Sequence, residues 1–169
     1  MKKQLQKIGI VVLMSISALV FNGCKGKDGA TGPAGTDGNA NVHSLIFTTT
    51  SASWAYTAPT YYVNLVDPQV TSDILGTGAV LVYVTGGGGS NTQLPYTYFP
   101  STAYSETMAA VIALNQVQIQ VTDSDLAAPN NPGALSFKVV TMSSRMMLTN
   151  PHVNFQDYES VKQAFHLKD

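Results

Sequence analysis

The sequence predicts an all-β fold: an antiparallel β-sandwich of about seven or eight strands with a short C-terminal helix. Three observations point there. Apolar and polar residues alternate along short runs, most plainly in Gln116 to Thr122, where Val117, Ile119 and Val121 interleave with Gln118, Gln120 and Thr122. Charge is scarce: 11% of the 169 residues are charged, against about 25% in an ordinary soluble domain. Between residues 39 and 150 the charged side chains are Asp67, Asp73, Glu106, Asp123, Asp125, Lys138 and Arg145, too few for salt-bridged amphipathic helices. Turn chemistry recurs between the runs, at Asp67-Pro68, Gly86 to Ser90, Phe99-Pro100 and Pro129 to Gly133.

In chain order, Val42 to Thr50 opens the β domain, which is expected over 41–150. Next, Tyr61, Val63 and Leu65 take one face of a strand while Tyr62, Asn64 and Val66 take the other. Val70 to Leu75 suits one helical turn. Ala79 to Thr85 is almost continuously apolar, which predicts a central strand. Further strands are expected over Leu94 to Phe99, Tyr104 to Leu114, Gln116 to Thr122 and Leu135 to Met142. The tail, 151–169, has a different period. Tyr158, Val161 and Phe165 form an apolar stripe at helical spacing. Asn154 can cap a helix with Asp157 at its third position, so a helix over about Phe155 to His166 is expected to pack on the sandwich.

The first 23 residues have another logic. Lys2, Lys3 and Lys7 precede an uncharged run from Ile8 to Gly23, and the single Cys, Cys24, follows at once. A basic start and a short apolar stretch describe an export signal, and the run is short for a permanent transmembrane helix. The alternatives are an uncleaved anchor, or an ordinary secretory signal with a stray Cys. Phe21-Asn22-Gly23-Cys24 resembles a bacterial lipobox. That resemblance implies cleavage before Cys24 and a membrane anchor of acyl chains on its thiol. Lys25, standing where Asp would retain a lipoprotein in the inner membrane, implies the outer membrane.

Residues 24–40 read as a lipidated Cys and a tether. Gly26, Gly29, Gly32, Gly35 and Gly38 form five uninterrupted Gly-X-Y triplets, the requirement of a collagen triple helix. With Pro33 as their one proline, they suit an extended spacer on the order of 45 Å long; a trimer is weighed but not expected. Cys24 to Val42, Ala79 to Val84, Leu94-Pro95-Tyr96, Phe137-Lys138-Val139-Val140 and Asn154 to Asp169 together resemble the collagen-like lipoproteins of Bacteroidota. The resemblance implies a lipid-anchored envelope protein and carries no catalytic residue.

Composition excludes some functions. A net charge of -1 gives no basic footprint for nucleic acid. One Cys allows neither an internal disulfide nor a Cys-clustered zinc site. Gly86 to Ser90 lacks the Lys-Ser/Thr ending of a phosphate loop. Asp123 and Asp125, near Asn130 and Asn131, are weak candidates for Ca²⁺, since no closing Glu follows. His43, His152 and His166 have no metal-binding spacing. No G-x-S-x-G stands in the chain, and nothing marks a carboxylate pair. No cofactor and no enzymatic activity are expected. The remaining lead is aromatic: Trp54, Tyr56, Tyr96, Tyr98 and Tyr104 sit near turns and strand ends and could stack on sugars or anchor a protein partner. The first expectation is therefore a non-enzymatic, lipid-anchored protein displaying its domain for structure or recognition; the alternatives are a glycan-binding module and an envelope hydrolase whose acids converge only in three dimensions.

Overall fold

The computed structural model describes residues 41–168. The expected signal at 1–23 and the tether at 24–40, Cys24 included, lie outside the described residues. The strands are β1 Val42–Thr48, β2 Ala55–Thr57, β3 Thr60–Val66, β4 Ala79–Thr85, β5 Asn91–Gln93, β6 Tyr96–Tyr98, β7 Glu106–Ala113, β8 Gln116–Asp123 and β9 Ser136–Met142. The α-helices are α1 Ser72–Thr77, α2 Ser144–Thr149 and α3 Tyr158–Phe165. Two antiparallel sheets result, ordered β1-β9-β4-β5 and β2-β3-β8-β7-β6. The described residues thus hold nine strands rather than seven or eight. The additions, β2 and β5, span three residues each, too short for an alternation to register.

One core lies between the sheets. Val63, Leu65, Met108, Val117, Ile119 and Val121 come from the five-stranded sheet and meet Val82, Val84, Phe137 and Val139 of the four-stranded one. A second core lies on the other face of the four-stranded sheet, where Tyr83, Val140 and Met142 pack with Tyr158, Val161 and Phe165 of α3. This sheet is therefore covered on both sides, which explains the nearly continuous apolar run of β4. Tyr83 is fully buried and its hydroxyl donates to the Phe155 carbonyl at 2.6 Å. Its ring meets Tyr158 edge-on at 5.3 Å. Burial, then the nearby Asp157 carboxylate, raises the Tyr83 pKa and keeps the hydroxyl protonated as a donor. The Lys138 ammonium sits 4.1 Å above the centre of the Tyr158 ring, a cation–π contact on the same helix.

The tail helix is shorter than expected, and its cap is displaced. Asp157 is the N-cap, accepting from the Glu159 N–H at 3.1 Å. Asn154 instead accepts from the Gln156 N–H, closing a turn ahead of the helix. A further helix, α2, was not expected because its Ser-Arg-Met-Met-Leu-Thr sequence shows no apolar stripe.

The five-stranded sheet turns its other face to solvent. Thr57, Thr60, Thr122, Thr107 and Thr97 stand in register across its five strands. Beside them, Gln116 and Gln118 donate to Asn64, and Gln120 donates to Gln118. Amides and hydroxyls supply here the polarity that charges supply elsewhere. At the far end, buried Asp67 accepts from the Gln69 N–H at 2.9 Å, and the Asp67 N–H donates to the Asn115 carbonyl. Asn115 occupies the left-handed region, φ 58°, so this exchange ties the β7–β8 turn to the loop after β3.

These contacts set an expectation for stability. Phe165→Ala, emptying a site only 2% exposed, should cost about 3 kcal/mol in denaturant unfolding. Phe99→Ala, at a ring 77% exposed, should change stability by less than about 0.5 kcal/mol.

Candidate functional site

The shortness of β5 and β6 leaves a gap where the two sheets end side by side. Val84, Met108 and Leu135 form its apolar floor. Ser90 and Thr92 bring hydroxyls to the lining, Thr85 lies beside them, and Tyr96 and Tyr98 add aromatic rings. The cavity measures about 390 Å³, within the usual range for small-ligand sites. Tyr96 and Tyr98 are two apart on one strand and so share a face. Their rings lie nearly parallel, 17° between planes and 5.8 Å between centres. The rim continues through Gly86 and Ser90, joined by the Gly86 N–H to Ser90 carbonyl bond at 2.8 Å. Gly88 and Gly89 lie at φ 81° and 80°, a region that favours glycine.

Behind Tyr98 is a feature that sequence reasoning missed. Glu106 pairs with Tyr98 on one side and with Asp123 on the other. Both carboxyls are buried, at 2% and 6% exposure. The Tyr98 hydroxyl donates to Glu106 Oε2, and Asp123 Oδ1 lacks a hydrogen-bond partner. Burial first, then Glu106 and then Asp125, raises the Asp123 pKa. Burial, the hydrogen bond to Glu106 and the neighbouring acids likewise raise that of Tyr98, with a smaller contribution from Tyr104. Tyr98 is thereby kept as a donor, and Asp123 holds its proton to a higher pH than an ordinary carboxyl. The signal was present in the sequence: Glu106 shares parity with Met108, and Asp123 with Val121, both on core positions.

The predicted aromatic residues do not form one group. Trp54 is core: it is 7% exposed, its indole N–H donates to the Gly133 carbonyl at 2.9 Å, and its ring meets Phe137 edge-on. Tyr56 pairs with Tyr61 at 4.9 Å, tilted by 45°, on edge strand β2. Register places the row Tyr56, Tyr61, Val121, Met108, Tyr96 across the sheet. Tyr56 and Tyr96 thus stand about 19 Å apart at opposite edges. Tyr104 is half-buried in the segment between β6 and β7. Among the five candidates, only Tyr96 and Tyr98 lie together in nearly parallel planes.

The weak Ca²⁺ reading meets a different arrangement. Asp125 is exposed and its Oδ1 accepts from the Ala127 N–H at 2.9 Å, whereas Asp123 is buried beside Glu106. Among the described residues no group of three or more His, Cys, Asp or Glu is placed to hold a metal ion. The hydrolase reading asks for two acids opening into a cavity. Glu106 and Asp123 are neighbours, but Tyr98 and Met108 line the tyrosine-walled cavity and the carboxyls do not. A second recess of about 280 Å³ brings together His43, Asp73 and Ser143. The buried Ser143 hydroxyl makes no hydrogen bond there, to His43 or to any other described residue. Among the described residues no helix is long and apolar enough to cross a membrane.

Comparison of the chain with protein-family models, curated proteins and solved structures finds no match. The class defined by the fold and site is accordingly structural: a two-sheet antiparallel β domain with a tyrosine-walled cavity at one edge.

Asp123 gives the domain a pH response. A carboxyl whose pKa is raised by folding contributes fully below its unfolded value, about 3.9. That contribution is lost as pH rises through the folded value. Melting temperatures measured from acid to neutral pH should therefore show Asp123→Asn gaining steadily on the unmodified protein as pH rises. A difference independent of pH would contradict this assignment.

Proposed function

We propose that the chain is a non-enzymatic, lipid-anchored envelope protein, in which an acyl anchor on Cys24 and a Gly-X-Y spacer display a β-sandwich at the outside of a bacterial outer membrane for recognition. The tyrosine-walled cavity carries the recognition part of this reading. It combines an apolar floor, two parallel rings and a hydroxyl rim, the pattern of small-ligand sites in general. The order of segments supports the anchoring part: an uncharged run, Cys24 directly after it, five Gly-X-Y triplets, and then the domain. Resemblance to the collagen-like lipoproteins of Bacteroidota supports the same order. One acyl chain binds a membrane only marginally, so more than one is needed for stable anchoring.

The anchor is tested by intact mass and fractionation. The unmodified protein should lose residues 1–23, gain the mass of its acyl chains and partition with membranes. Cys24→Ala should lack the acyl mass and leave the membrane fraction wherever the precursor is cut. A soluble unmodified protein, or one retaining its first 23 residues uncut, would overturn the proposal.

A further inference from the structure

We infer that the cavity between β4–β5 and β6–β7 binds one neutral pyranose ring of a glycan. This rests on the recognition reading above and gives that site its ligand class.

The lining chemistry selects the ligand. No residue lining the cavity is charged, so a charged ligand would give up hydration without meeting an opposite charge there. A purely apolar ligand would suit the floor but would strip water from the hydroxyls of Ser90 and Thr92 without replacing their hydrogen bonds. A pyranose ring satisfies both halves. Its C–H face can lie along the aromatic wall while its hydroxyl edge exchanges hydrogen bonds with the rim. A volume of about 390 Å³ is near the lower end for ligand sites, which suits one enclosed ring with the rest of the chain outside.

The wall is also fixed before binding. Tyr98 is held through its hydroxyl by Glu106, and Tyr96 stacks against Tyr98. Groups already ordered lose little conformational freedom when a ligand arrives. The parity that places Tyr96 and Tyr98 on the core-facing side also leaves Tyr96 40% exposed, because β6 is an edge strand. A ring there can be both fixed and reached.

The test uses the whole lipidated protein in a zwitterionic detergent without a sugar headgroup. Calorimetry and saturation-transfer NMR would be run with neutral trisaccharides of glucose, mannose and N-acetylglucosamine, an acidic galacturonic trisaccharide, and a tyrosine- and proline-rich peptide. At least one neutral trisaccharide should bind, with a Kd of about 1 mM or tighter. Tyr96→Ala should weaken it about tenfold, Thr92→Val should weaken it measurably, and Tyr56→Ala, at the opposite edge, should leave it unchanged. Melting temperatures of the variants establish that each is folded. Preference for the acidic sugar, affinity indifferent to Tyr96→Ala, or no binding of any neutral trisaccharide would overturn the inference. Peptide binding lost in Tyr96→Ala would also overturn it, while leaving the cavity a recognition site.

Discussion

Strand β9 belongs to two hydrophobic cores at once, and most of the architecture follows from that. Phe137 and Val139 point between the sheets, whereas Val140 and Met142 point towards α3. Neighbouring β4 repeats the division, with Val82 and Val84 on one side and Tyr83 on the other. A strand buried on both faces cannot slip by one residue without exchanging its two apolar sets, so β9 fixes the β1 and β4 registers together. The one charged side chain in it, Lys138, lies over the Tyr158 ring, where its aliphatic stem can cover the helix and its ammonium meets the π face.

This double covering decides where a ligand can approach. The four-stranded sheet has one face against its partner sheet and the other beneath the tail. What remains accessible is the polar outer face of the five-stranded sheet and the edges. Among the edges, β5 and β6 are short and adjacent in sequence, so the ends of the two sheets part there and the cavity opens between them. The buried carboxyls at the end of β7 and β8 then hold the tyrosine that walls it. Their burial is costly unless a proton or a donor offsets it, and Tyr98 supplies such a donor to Glu106.

Much of the fold was legible wherever the pattern was long. Strict alternation in β8 gave its buried face, and the continuous apolar run in β4 gave its central place. Helical spacing of Tyr158, Val161 and Phe165 gave the packed stripe of α3. The three-residue strands β2 and β5 were not legible, since so short a run looks like chance, whereas β6 fell inside the strand expected over Leu94 to Phe99. The site was harder because it depends on register. Tyr56 and Tyr96 look alike in sequence, yet pairing sends them to opposite edges. Trp54 stands between Ser53 and Ala55 with no periodicity to place it; its burial comes from Phe137 and the Gly133 carbonyl, 79 residues away for the latter bond. Glu106 and Asp123 carry their signal in parity alone, as polar residues on core-facing positions of β7 and β8.

The proposed display would hold the β domain away from the membrane with its edge cavity open to the surroundings. Protease treatment of intact cells, with the outer membrane shown to be sealed by a periplasmic marker, tests that most directly. Loss of the domain from residue 41 onward while the marker survives is the predicted result. Full protection of the domain would place it facing the periplasm and contradict display at the surface.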